Sequence, residues 1–155
     1  MSDALTREII EALNDRRTVK ALGTVDSSGA PRLAVKESLR LNGDGLLEYD
    51  EIIETSRTNA NALRALWFGG TVSVLLLTAE GRSFLINGRP TRTIVSGSAF
   101  QERYQALRKT GLDTDLGAIW VIEPLSLEET TLEKRRQEEE AKHPLIRHLD
   151  RLVVS

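Results

Sequence analysis

The segment ETSRTNANALRAL, residues 54–66, sets the guanidinium of Arg57 between the hydroxyls of Ser56 and Thr58, with Asn59 and Asn61 close behind. An apolar-periodic run follows at once, so these groups stand at a helix start. A helix start carries unpaired backbone N–H groups and the positive end of the helix dipole, and it accepts a capping side chain or an anion. Under the first reading Ser56 or Thr58 caps the helix and Arg57 is a surface charge. The Glu or Gln of a capping box is absent, since Asn59 or Asn61 stands in that place. Under the second, Arg57 offers a bidentate fork to a phosphate, Thr58 adds a hydroxyl, and the helix adds its N–H groups. The chain has neither GxxxxGK nor GxGxxG, so such a seat is not of the Walker or dinucleotide kind.

A second candidate lies in PRLAVKESLRL. Strand alternation puts Leu33, Val35, Glu37 and Leu39 on one face and Arg32, Ala34, Lys36, Ser38 and Arg40 on the other. That second face is partly basic. It reads as a solvated barrel surface or as a groove for an anionic cofactor, which would bring in Lys36 and Ser38. Other constellations carry less. His143 and His148 are five apart and do not share a helical face, and no cysteine is present to join them at a metal. Asp113 and Asp115 in TGLDTDLG suit a turn and lack the further ligands of a calcium loop. Asp50 and Glu51 are adjacent, so on a strand they face opposite ways. No GxSxG elbow occurs.

The elements that must position these groups follow from periodicity. Residues 3–15 predict an amphipathic helix with Leu5, Ile9, Ala12 and Leu13 on one stripe. Strands are expected at 18–25, 32–41 and 46–53, as an antiparallel meander joined by the turns DSSGAP and NGDG. A helix over 58–68, with Ala62, Leu63, Leu66 and Trp67 at helical spacing, ends at Gly69 and Gly70. TVSVLLLTA predicts a buried strand. SFLINGRPTRTIV predicts another, with a bulge or register change where Gly88 and Pro90 fall. A helix over 99–111 and a last strand within 116–130 complete the core. Residues 133–142 are almost without apolar side chains and predict a solvated helix. From Pro144 a further helix is expected, its face formed by Leu145, Ile146, Leu149, Leu152 and Val153, packing on its own barrel or on a second subunit. Six or so strands without regular strand–helix alternation point to a small barrel or an α+β sheet, not a doubly wound one.

Composition bounds the function. The chain of 155 residues fits one domain, divided here into a body over 1–130 and a helical extension over 131–155. Lys and Arg total 21 against 23 Asp and Glu, which gives no general push toward nucleic acid or an acidic membrane. Without cysteine there is no thiol or disulfide chemistry. MSDALTREIIEALND lacks the apolar region of a signal peptide, and no run approaches the roughly 20 residues of a membrane span. A cytoplasmic protein is the expectation.

The order of several short motifs goes further. KALGTVDSSGAPRLA, then SRTNANALRA, TVSVLLL and SFLINGRPTR, and finally AIWVIEPLSLEETT resemble, over residues 18–130, the FMN-binding split barrels related to pyridoxamine 5'-phosphate oxidase, especially their small single-domain flavoproteins. The resemblance implies a mainly β fold with flanking helices, a six-stranded antiparallel split β-barrel. It implies FMN held without a covalent bond, its phosphate on Arg57 and Thr58 with Ser56 beside them. Asn61 matches the family's helix asparagine, which supports the loop. Lys36, Glu37 and Ser38 correspond loosely to second-strand residues beside the flavin. Trp120 sits on a strand whose counterpart approaches the flavin, and it reads equally as a core tryptophan. A homodimer with both flavins at the interface and a small-molecule redox partner are implied as well. The Arg and His substrate residues of the oxidase have no counterpart in Arg147 and His148. The implied activity is that of an FMN-dependent oxidoreductase. The alternatives are a flavin carrier or storage module and a flavin-free dimeric regulatory domain.

Overall fold

The computed structural model of the chain describes residues 3–111 and 115–143. The apolar face expected at 144–155, with His148, and the turn residue Asp113 lie outside the described residues. The elements run α1 (Asp3–Asn14), β1 (Val19–Val25), β2 (Pro31–Val35), β3 (Arg40–Leu41), β4 (Leu47–Glu51), α2 (Arg57–Phe68), β5 (Val72–Leu77), β6 (Ser83–Ile94), α3 (Ser98–Lys109), β7 (Ala118–Glu129) and α4 (Leu132–Lys142). No described helix is long and apolar enough to cross a membrane.

The seven described strands join one antiparallel sheet in the order β2-β1-β5-β6-β7-β4-β3. Its two edges, β2 and β3, are consecutive in the chain and separated only by residues 36–39. Five residue steps reach at most about 18 Å, whereas six inter-strand spacings in a flat sheet amount to about 29 Å. The sheet must therefore curl, and it forms an open half-barrel. This agrees in kind with the expected six-stranded antiparallel split barrel and differs in having seven strands and staying open. The pairing corrects the meander: β2 pairs with β1, β3 pairs with β4, and β4 continues to β7.

The single strand expected at 32–41 breaks at a turn in which Leu39 N donates to Lys36 O at 3.1 Å. The turn restarts the alternation. Leu39 is buried inside, while Leu33, expected on the same face, is 78% exposed on the outside of the sheet. β6 behaves as Gly88 and Pro90 foretold, with register shifts at Asn87/Gly88 and Pro90/Arg92 against β7. It stays paired through both, so the proline does not end the strand.

The core inside the curl gathers Leu22, Tyr49, Leu76, Phe84, Ile86, Trp120 and Ile122. Helix α1 closes onto it through Ile9, Ala12 and Leu13 of its apolar stripe. Arg82 ties this end together by reaching Glu8 of α1 and Glu129 of β7, each at 3.0 Å. Helix α2 ends where Gly69 adopts φ 68°, a left-handed cap. It buries Thr58, Asn61 and Ala62. Trp67, expected on that stripe, is instead 79% exposed. α4 buries nothing and is solvated as expected, with Glu133 and Arg136 paired at 4.0 Å.

Candidate functional site

β2, the turn between β2 and β3, the end of β4, the start of α2 and Leu107 of α3 border an open cavity of about 510 Å³. Its polar wall is built on Glu51, whose side chain is 1% exposed. Lys36 Nζ donates to Glu51 Oε2 at 2.9 Å, Ser56 Oγ to Oε1 at 3.0 Å, and Ile53 N to Oε1 at 3.3 Å. Asp50, the residue before it, makes separate contacts, although it also borders the cavity. Its buried carboxylate pairs with Arg40 Nη1 at 3.1 Å and with Arg103 of α3. The apolar part of the wall is Ala34, Val35, Ile52, Ile53 and Leu107, and Arg32, Glu37, Ser38, Asp50 and Thr58 border the cavity as well.

The start of α2 settles part of the earlier choice. Ser56 is the cap, its Oγ accepting from Asn59 N at 3.0 Å. Thr58 is buried, and its Oγ1 accepts from Arg32 Nε at 3.4 Å. Arg57 is exposed and lines a second cavity of about 290 Å³, with Asp26, Ala30, Pro31, Arg32, Ala60 and Asn61. Asn61 Nδ2 donates to Thr24 Oγ1 at 3.1 Å and ties α2 to β1. In the β1–β2 turn, bonds from the Ser28 hydroxyl and from backbone N–H groups hold the Asp26 carboxyl below its usual range, with Arg57 adding to the effect. Arg32 borders both cavities.

Five expected site residues, Lys36, Glu37, Ser38, Ser56 and Thr58, therefore share the larger cavity, and Arg57 and Asn61 share the smaller. Their roles there differ. Lys36 is committed to Glu51. Ser38 Oγ accepts from Asp50 N at 2.9 Å. Glu37 exposes its side chain, while its carbonyl accepts from buried Lys20 Nζ at 3.4 Å; burial pushes that ammonium below its usual range. Trp120 lines neither cavity. It is a core residue, 1% exposed, and its indole N–H donates to Asn59 Oδ1 at 2.9 Å. Of its two readings, the geometry matches the core one. Arg32 was not singled out from the sequence. Its place on the basic face of the second strand, at the end nearest the turn, was the available signal.

Among the described residues, Arg32 and Arg57 form no salt bridge, whereas the other cations around the larger cavity, Lys36, Arg40 and Arg103, all do. Two guanidiniums without a salt bridge among the described residues thus lie beside a buried threonine hydroxyl at the positive end of a helix, and Arg32 already donates to that hydroxyl.

No family model and no curated protein matches the chain. Solved structures do match it in fold. HupZ of Group A Streptococcus aligns at TM-score 0.66 and 18% identity, over 81% of this chain and 94% of that one. An FMN-binding protein from Syntrophomonas wolfei subsp. wolfei aligns at TM-score 0.66 and 20% identity, over 84% of this chain and 91% of that one. A protein described as an F420 reductase aligns at TM-score 0.58 and 16% identity, over 76% and 94%. At these identities the likeness is one of fold alone.

Proposed function

We propose that the chain is an FMN-binding protein, with the flavin ring in the larger cavity and the phosphate at the saddle where Arg32 meets Thr58. The observation that carries this reading is the meeting of Arg32 of β2 and Arg57 of α2, neither in a salt bridge among the described residues, beside the Thr58 hydroxyl. Free backbone N–H groups and the helix dipole add to the same seat. The larger cavity fits the rest of the ligand: Val35, Ile52, Ile53 and Leu107 offer apolar contact to a ring, and Ser38 and Lys36 offer polar edges. The fold likeness to a protein described as FMN-binding supports the choice of ligand.

Arg32 and Arg57 bind the phosphate, Ser56 holds the first turn of α2 in shape, and Glu51 fixes Lys36 against the cavity wall. FMN, when bound, supplies the redox chemistry. The chain then serves as an FMN-dependent oxidoreductase for a small molecule. The rival reading, a flavin carrier without turnover, differs in one assay: oxidation of a nicotinamide donor in the presence of a small electron acceptor. Turnover beyond that of free FMN supports the enzyme, and its absence with flavin still bound supports the carrier.

Assembly belongs to the same proposal. Val19, Leu33, Val35, Leu75 and Leu77 are exposed on the outer face of neighbouring strands β2, β1 and β5. The pairings Ala21↔Val35, Ala21↔Leu75 and Val19↔Leu77 make them contiguous. Leu33 lies over Gly23, with its Cδ2 3.3 Å from where a Cβ would stand. An apolar sheet face of this kind marks an interface, and a second copy meeting it across a twofold axis gives a homodimer. Val35 belongs both to this face and to the larger cavity, so the dimer contact reaches the edge of the flavin site.

A further inference from the structure

We propose that α3 is a hinged lid over the larger cavity, latched by Arg103 on Asp50. It rests on the reading of that cavity as the ligand site.

The helix is bounded by glycines in positive-φ conformations, Gly97 at 95° before it and Gly111 at 76° after it. Such positions favour glycine and suit the ends of a hinged segment. α3 buries none of its residues. Much of its own packing is internal. Phe100 stacks on Tyr104 with centroids 6.4 Å apart, and Arg108 Nη1 donates to the Tyr104 hydroxyl at 2.9 Å. Among the described residues, the side-chain hydrogen bonds joining α3 to another element are those from Arg103 to Asp50. Leu107 lies one turn beyond Arg103 on the same face and forms part of the cavity wall.

The latch can open because Asp50 has a second partner. Breaking a buried ion pair is costly when it strands a bare charge. Here Arg40 of β3 keeps its own bond to Asp50 at 3.1 Å when Arg103 leaves. Lys36 and Glu51 across the cavity have no such spare cation among the described residues, and that wall stays fixed. The cavity is thus built from a rigid wall and a releasable one. Closed, the lid sets Leu107 over the bound ring and limits the entry of water and redox partners.

The test uses the full chain and two readouts. Amide hydrogen exchange of the ligand-free protein, read by mass spectrometry, compares wild type with Arg103→Ala. Exchange across 98–109 should rise about tenfold, by the usual worth of a charge-assisted bond, while peptides from β6 and β7 stay unchanged. Stopped-flow release of FMN should quicken by a similar factor in Arg103→Ala. Leu107→Ala should also speed release, yet leave ligand-free exchange at the wild-type rate. Should Arg103→Ala fail to fold, Arg103→Lys carries the same comparison with a smaller rise. Unchanged exchange over 98–109 overturns the latch, and unchanged release from both variants overturns the lid. The exchange arm needs no flavin, so absence of FMN binding counts against the cofactor reading and leaves the latch to be judged by exchange.

Discussion

Arg57 and Lys36 look alike in the sequence, each a cation within two residues of a serine, and the structure gives them opposite situations. Arg57 is exposed at the helix start without a salt bridge among the described residues, while Lys36 is closed against a buried carboxylate. Arg57→Ala should therefore weaken FMN by about 10- to 150-fold, equivalent to roughly 1.5–3 kcal/mol, and leave riboflavin, which lacks the phosphate, nearly unchanged. Arg32→Ala should do the same. Calorimetric titration of each variant with both flavins reads the difference, and equal losses would return Arg57 to a surface charge. Lys36→Ala should act on stability instead. It leaves Glu51 buried without its cation, at a cost of roughly 3–5 kcal/mol, measurable by urea unfolding of the ligand-free protein. The local part of this was legible: Ser56, Arg57 and Thr58 at a helix start need only neighbouring residues to be recognised. The pairing of Lys36 with Glu51 was not, because it joins the turn after β2 to the end of β4, fifteen residues on. Trp120 was legible as a strand aromatic, but which side of the sheet it faced depended on packing that no alternation pattern records.

At the scale of elements, the helices and most strands were legible because each carries its own period and its own stop. The exception is instructive. Residues 32–41 alternate as one strand, yet Lys36–Leu39 turn and send β2 and β3 to opposite edges of the sheet. Nothing local marks that turn, since it contains neither glycine nor proline; closing the curl demands it. Gly88 was legible for the opposite reason, as a residue that breaks a strand pattern. A Cβ there would stand 2.5 Å from Ile122 Cγ2 and 2.9 Å from the Glu123 carbonyl. The carbonyl belongs to the backbone and cannot swing away. Gly88→Ala should lower stability by about 1–3 kcal/mol, seen as a lower urea midpoint. Gly43→Ala is the control, because its Cβ meets nothing within 4 Å. A Gly88 variant as stable as the control would mean that β6 and β7 yield at the bulge.

For the molecule as a whole, the same curl that forms the core leaves an apolar outer face on β2, β1 and β5. Leu33 and Val35, set on one face of the strand by alternation, join Val19, Leu75 and Leu77 there. Leu33→Asp should convert the proposed dimer to a monomer at micromolar concentration, with the far-ultraviolet circular dichroism unchanged, and light scattering reports the mass directly. A wild-type monomer would remove the assembly from the account. The central claim is that the start of α2 and the cavity beside it hold FMN by its phosphate. Its most direct test is calorimetric titration of flavin-free wild-type protein with FMN and, separately, riboflavin. One FMN should bind per chain, with riboflavin weaker by about tenfold or more, as the loss of charge-assisted phosphate bonds requires. No heat with either flavin, or equal affinity for both, would contradict it.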